Sequence, residues 1–158
     1  MAVCRSFLFA PGNHPRRVEK CLTLDADCII LDLEDAVAVT EKESTRAKIV
    51  AALQLPRRSG GYVRVNAYDT PFCYGDLQAV VCAGVDGIVL PKVESAAQLL
   101  SVNWLIGQLE QQCGLGLGTV DLIPIIETGK GLAAVEEIAS ANTRVKRLAF
   151  GAGDFTLD

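Results

Sequence analysis

The sequence predicts an α/β fold, a (β/α)8 barrel of the TIM type truncated after its sixth strand, and three observations predict it. Short apolar runs recur along the chain, each followed by a loop and then a stretch with helical spacing, the alternation of a parallel sheet. Almost every run ends in polar or ionisable residues, as barrel strands do at the rim where barrel enzymes keep their sites. No linker-like stretch interrupts the alternation, so residues 1–158 read as the N-terminal part of a single barrel domain.

The first strand is expected over Ser6 to Ala10 and runs into Pro11-Gly12-Asn13. A helix over Pro15 to Leu24 follows, with proline where a first helical turn tolerates it. Cys28 to Leu33 is the second strand. The helix over Thr40 to Leu53 opens on Thr40, with Glu43 three residues on in the manner of a capping box. Tyr62 to Val65 is the third strand, and Thr70 precedes a helix over Phe72 to Ala83. Gly87 to Leu90 is the fourth strand. Ser95 caps a helix that reaches Gln112, and Gly114 to Gly118 forms a turn. Leu122 to Ile126, a helix over Gly131 to Ala139, and Arg147 to Phe150 complete the series.

A full barrel of this kind takes about 250 residues, so the last strands are expected to be absent from this chain. An open doubly wound sheet holds six parallel strands without closure, and on length alone it is the better fit. The polar strand ends favour the barrel, because only there do they converge on one rim. An uncovered sixth strand would leave unpaired edge groups beside apolar surface, which favours a homo-oligomer.

Composition narrows the partners. Hydrophobic residues make up 50% of the chain and charged residues 22%, the balance of a compact domain. Apolar runs stay far below the roughly 20 residues needed to cross a bilayer, and the opening run is too short for a signal peptide. A cytoplasmic protein with no membrane partner is expected. The net charge of −4 offers no field for a phosphate backbone, which argues against nucleic acid. The six cysteines form no CxxC pair and read as reduced, structural thiols.

Candidate chemistry sits at the strand ends. Glu127 and Asp154 each follow an apolar strand, and two carboxylates at one rim suit Mg²⁺, or Mn²⁺, which keeps several ligands from water and substrate. Capping by Glu127 and a turn role for Asp154 are the plainer alternatives. Arg64 is a permanent cation within a strand and needs an anionic partner. Asp32, Glu34 and Asp35 can supply it, or Arg64 can face a substrate oxyanion. Strand alternation puts Asp32 and Glu34 on one face and Asp35 on the other. Lys92 either neutralises these acids or serves as a Schiff-base nucleophile. The candidate catalytic residues are therefore Arg64, Asp32, Glu34 and Asp35. Arg64, Glu127, Asn13 and Lys92 are the candidate substrate contacts. With His14 the single histidine and no GxSxG elbow, a serine hydrolase is not expected.

The runs Arg5-Ser6-Phe7-Leu8-Phe9-Ala10-Pro11-Gly12-Asn13, Leu31-Asp32-Leu33-Glu34-Asp35-Ala36-Val37 and Val63-Arg64-Val65-Asn66 resemble the first three strands of citrate lyase β-subunit-like enzymes, relatives of citryl-CoA, malyl-CoA and citramalyl-CoA lyases. Gly87 to Glu94 looks like their fourth strand. Pro124 to Thr128 and Phe150 to Phe155 look like their two metal-bearing strands, with Gly153 where members commonly carry an acid. The resemblance implies Mg²⁺ held by Glu127 and Asp154 and substrate contact by Arg64. The implied reaction is a retro-Claisen cleavage of a hydroxy-acid acyl-CoA or acyl-carrier-protein thioester into an acyl thioester and a keto acid. It also implies a lid that supplies a catalytic acid to a neighbouring subunit. An aldolase on free keto acids, or a non-catalytic assembly subunit, are the competing readings.

Overall fold

In a computed structural model, which describes residues 4–81 and 84–158, six parallel strands lie side by side in chain order. They are β1 (Phe7–Pro11), β2 (Cys28–Asp32), β3 (Gly60–Arg64), β4 (Gly87–Leu90), β5 (Asp121–Ile126) and β6 (Ala149–Phe150). The order never reverses, which removes the doubly wound alternative and leaves an arc of a barrel. Helices α1 (Pro15–Thr23), α2 (Lys42–Leu53), α3 (Cys73–Val80) and α4 (Ala96–Gln112) alternate with the first five strands.

Side-chain alternation along each strand divides the apolar residues into two layers. Leu8, Ile29, Leu31, Val63, Ile88 and Leu122 point outward and pack beneath the helices, against Val18, Ile49, Leu53, Leu77, Leu99 and Ile106. Cys28, Ile30, Tyr62, Val89, Ile123 and Ile125 point inward and fill the concave side with Phe7. Both faces of β2 and β4 are thus covered, which is why Cys28-Ile29-Ile30-Leu31 and Gly87-Ile88-Val89-Leu90 read as unbroken apolar runs. Gly87 has no side chain because the Tyr62 ring lies where one would go, 2.3 Å from an added Cβ. Tyr62 in turn donates from its hydroxyl to Asp121 at 3.0 Å.

Several expectations need correction. Thr40 lies in a 3₁₀ turn, Val39–Glu41, and does not cap α2; Glu41 holds the capping position without a side-chain bond, since its carboxylate accepts from Asn13 Nδ2 at 3.0 Å. Thr70 also caps nothing, because α3 starts only at Cys73 and the Thr70 hydroxyl donates back to the Ala67 carbonyl. Ser95 does cap α4, accepting from the Gln98 amide. The expected helix from Gly131 to Ala139 is two short helices, α5 (Gly129–Ala133) and α6 (Val135–Ser140), that meet at Ala134. Strand β6 is two residues long and leads at once into a turn of helix, α7 (Ala152–Phe155), with no counterpart in the predicted series. Cys82 and Ala83 lie outside the described residues; Cys21, Cys28, Cys73 and Cys113 are free thiols.

Candidate active site

The C-terminal ends of the strands bring most of the predicted residues together. Asp32 and Arg64 are register partners on β2 and β3. Arg64 Nε and Nη2 each donate to one Asp32 oxygen at 2.7 Å, a fork-to-fork pair. Beyond Asp32 the chain leaves the strand and folds round that carboxylate, whose oxygens also accept the amides of Glu34 and Ala36 at 3.0 Å each. Burial pushes the Asp32 carboxyl upward, but the Arg64 hydrogen bonds and charge, with those two amides, more than offset it and hold it below the usual carboxylate range.

The same turn overrides the alternation expected of a strand. Asp35 is not on the far face: its carboxylate lies 3.7 Å from Arg64 Nη1 and 3.6 Å from Lys92 Nζ. Glu34 is buried between the two cations, with Oε2 3.0 Å from Arg64 Nη1 and Oε1 hydrogen-bonded to Lys92 Nζ. Burial pushes the Glu34 carboxyl up against the pull of those cations. The Phe9 ring sits 5.2 Å from the Arg64 guanidinium and closes its remaining face.

Lys92 links this cluster to the second one. Its backbone is left-handed, φ 51°, a conformation unusual for a residue with a side chain. The geometry sends the Lys92 amide to Glu127 Oε1 at 2.8 Å, while Nζ reaches Glu34 and lies 3.6 Å from Asp154 Oδ2. Burial lowers the affinity of Lys92 for its proton, but Glu34 and then Asp35 and Glu127 raise it further, so the group stays an ammonium ion. A lysine so held is a counter-charge and a poor Schiff-base nucleophile.

Glu127 directly follows β5, whereas Asp154 sits within α7 rather than at a strand end. Thr128, not Glu127, caps α5 by accepting the Gly131 amide. Burial pushes the Glu127 carboxyl up, and the Asp154 charge adds to that effect against the Lys92 amide and ammonium. Gly151 allows this approach: a Cβ there would come within 2.5 Å of Glu127 Oε2. Among the described residues no group of three or more His, Cys, Asp or Glu side chains forms a ready-made metal cage. Glu127 and Asp154 both flank Lys92 and both line the cavity beside it, and two such carboxylates fit a hard divalent cation that takes the rest of its ligands from water and substrate.

Alongside lies a cavity of about 440 Å³, lined by Phe9, Arg64, Ile125, Glu127, Phe150 and Asp154 among others. Its lining also includes Phe7, Ile30, Val89, Ile123 and Arg147, so the space runs from the polar rim down the apolar concave side of the sheet. Asn13 is turned away from this group toward Glu41, and His14 precedes α1 at the surface. Glu94, also at a strand end, pairs with Lys130 and Thr128 instead. Sequence reasoning missed Lys42, Asn66 and Asp76, which lie buried behind the acidic turn.

Comparison with known proteins agrees with the fold. The family model described as HpcH/HpaI aldolase/citrate lyase matches residues 5–158. The citrate lyase subunit beta of Leuconostoc mesenteroides subsp. cremoris is 40% identical over 156 residues, covering 98% of this chain and 52% of that protein. An L-malyl-CoA/beta-methylmalyl-CoA lyase of Rhodobacter capsulatus is 39% identical over 156 residues, covering 96% and 49%. The solved citrate lyase beta subunit from M. tuberculosis, complexed with oxaloacetate and magnesium, superposes with a TM-score of 0.78 at 31% identity, covering 99% of this chain and 61% of that one. The chain thus spans about half the length of the curated relatives it matches. Among the described residues no helix is long and apolar enough to cross a membrane.

Proposed function

The chain belongs to the HpcH/HpaI aldolase/citrate lyase family, and from that premise we propose that it is a magnesium-dependent carbon–carbon lyase acting on a hydroxy-acid thioester. The substrate is an acyl-CoA or acyl-carrier-protein thioester with a hydroxyl at C3, cleaved to an acyl thioester and a keto acid. The observation that carries this reading is the pairing of a fixed guanidinium, Arg64, with two carboxylates, Glu127 and Asp154, around one small cavity. Relatives named for citrate and malyl-CoA cleavage, and one solved with oxaloacetate and magnesium, support it.

In the cleavage the C3 hydroxyl loses its proton, its C–O bond becomes the carbonyl of the keto acid, and the C2–C3 bond breaks. The electron pair of that bond passes to the thioester carbon skeleton as an enolate, which then takes up a proton at C2. Glu127 and Asp154 would hold Mg²⁺, which supplies Lewis-acid polarisation of the hydroxy-acid oxygens. Arg64 presents a charge that burial and Asp32 fix in place, suited to a substrate carboxylate or a developing oxyanion. Lys92 offsets part of the charge of the acids around it, Glu34, Asp35 and Asp154, and Mg²⁺ would offset more before the acidic substrate arrives. Of the predicted catalytic acids, Asp32 and Glu34 act in this reading by orienting the two cations.

The test is release of keto acid from citryl-CoA, malyl-CoA and citramalyl-CoA by the purified chain, with Mg²⁺ and with excess EDTA. Cleavage of a thioester that EDTA stops supports the proposal. Metal-dependent cleavage of the free acids, with the thioesters untouched, would replace it with an aldolase.

A further inference from the structure

Lys42 is the first residue of α2, and none of the described ion pairs includes it. Its side chain is buried, 7% exposed, and its three ammonium protons meet three oxygens: Leu33 O at 3.0 Å, Glu34 O at 2.7 Å and Asn66 Oδ1 at 2.5 Å. Two effects oppose a lysine here. Burying an ammonium without an anion is costly, and a positive charge in the first turn of a helix works against the helix dipole. Met or Leu would fill the space more cheaply, so the three hydrogen bonds are the reason for the residue.

Two of those bonds end on the segment that wraps Asp32. The Leu33 and Glu34 carbonyls belong to the turn whose Glu34 and Ala36 amides hold the Asp32 carboxylate, and whose Glu34 side chain reaches Arg64 and Lys92. Asn66, the third acceptor, braces the same point from the loop after β3, donating to Leu33 O at 3.2 Å and to Asp76 Oδ2 at 2.6 Å. Asp76 is itself fixed by Arg46 at 2.8 Å. We infer that Lys42 is a positioning residue: it pins the turn after β2, so that Asp32 and Glu34 hold the Arg64 guanidinium at the cavity and Glu34 holds the Lys92 ammonium beside Asp154. The relevance to substrate rests on the lyase reading above; the effect on Arg64 does not.

The test compares the chain with its Lys42→Met variant, which keeps the stem and removes the donors. Hydrogen exchange of the Arg64 Nε–H, assigned by its loss in Arg64→Lys, is read by NMR with the Glu34 and Ala36 amides. The variant should speed exchange at these three sites about tenfold while amides in β4 and β5 keep their protection. Unchanged exchange, or a rise spread evenly over the sheet, overturns the inference, the second because Lys42 would then be an ordinary stabilising contact. Oxaloacetate binding with Mg²⁺ supplies the second reading. Lys42→Met should weaken it about 10- to 100-fold, as loss of supporting hydrogen bonds does elsewhere. In an Arg64→Lys background the same change should cost less than about threefold, because coupled residues are not additive. Equal losses in both backgrounds overturn the inference. If the unaltered chain binds no oxaloacetate, the lyase reading fails, and the Arg64 Nε–H alone decides the role of Lys42.

Discussion

Asp32 and Arg64 face each other across neighbouring strands and exchange two parallel hydrogen bonds of 2.7 Å, with Asp32 1% exposed. Removing one member of such a pair strands a buried charge. Asp32→Asn, which keeps the shape, should therefore destabilise the chain by about 3 kcal/mol in urea unfolding. Asp35→Asn, at a side chain that is half exposed and 3.7 Å from Arg64, should change stability by less than about 1 kcal/mol. Equal effects would mean that the ion pair, and not its burial, governs the site.

Acid should weaken the fold through two carboxylates. Burial pushes Glu110 up, but Arg144, with contacts of 2.6 and 3.0 Å, and the amides of Val120 and Gly118 bring it below the usual range, as Arg64 does for Asp32. In both cases the unfolded chain takes up a proton at higher pH than the folded one. Their stabilisation is thus complete above the unfolded carboxylate range, near pH 4, and is lost as pH falls through the folded values. Glu34 and Glu127, which burial holds above that range, contribute with the opposite sign, so the test is a difference: the urea midpoint of the chain relative to that of Asp32→Asn should shrink from pH 6 down to pH 3. A difference that grows toward pH 3 contradicts this.

Magnesium binding should depend on both rim carboxylates. By calorimetry, Glu127→Gln and Asp154→Asn should each weaken Mg²⁺ on the order of 100-fold, since affinity for a hard cation follows its charged ligands. Glu94→Gln, which loses only the contacts to Lys130 and Thr128, should leave it unchanged. A Glu94 effect as large as that of Glu127 would move the metal elsewhere.

The left-handed backbone at Lys92 separates main-chain from side-chain contributions. Lys92→Ala and Lys92→Gly both delete the ammonium, yet only glycine adopts this conformation without strain. The glycine variant should therefore unfold at higher urea than the alanine variant, by about 1 kcal/mol. Alanine at least as stable as glycine would show that the backbone relaxes there.

The strands and the first cluster were legible in the sequence for one reason. Parallel strands buried on both faces leave unbroken apolar runs, and Asp32, Glu34, Arg64 and Lys92 cannot sit near one another uncompensated. The position of Asp35 was not legible, because the strand ends at Asp32, where two backbone amides bend the chain round that carboxylate, and alternation no longer governs Asp35. Thr40 has the chemistry of a cap, but Asn13 engages the neighbouring Glu41 and a 3₁₀ turn absorbs the threonine. The role of Lys42 was not legible either. Its one local signal was a basic residue in a first turn, where the dipole disfavours it.

The match between strand order and chain order bears on how the site is assembled during synthesis. Each strand can pair with the one made just before it, so the sheet can grow from its N-terminal edge as the chain emerges. Asp32 is then already in place when Arg64 arrives on the next strand, and the guanidinium meets its anion as it leaves water. Lys92 comes next and reaches Glu34, which is waiting for it. Glu127 and Asp154 join last, each after the cation that tempers it.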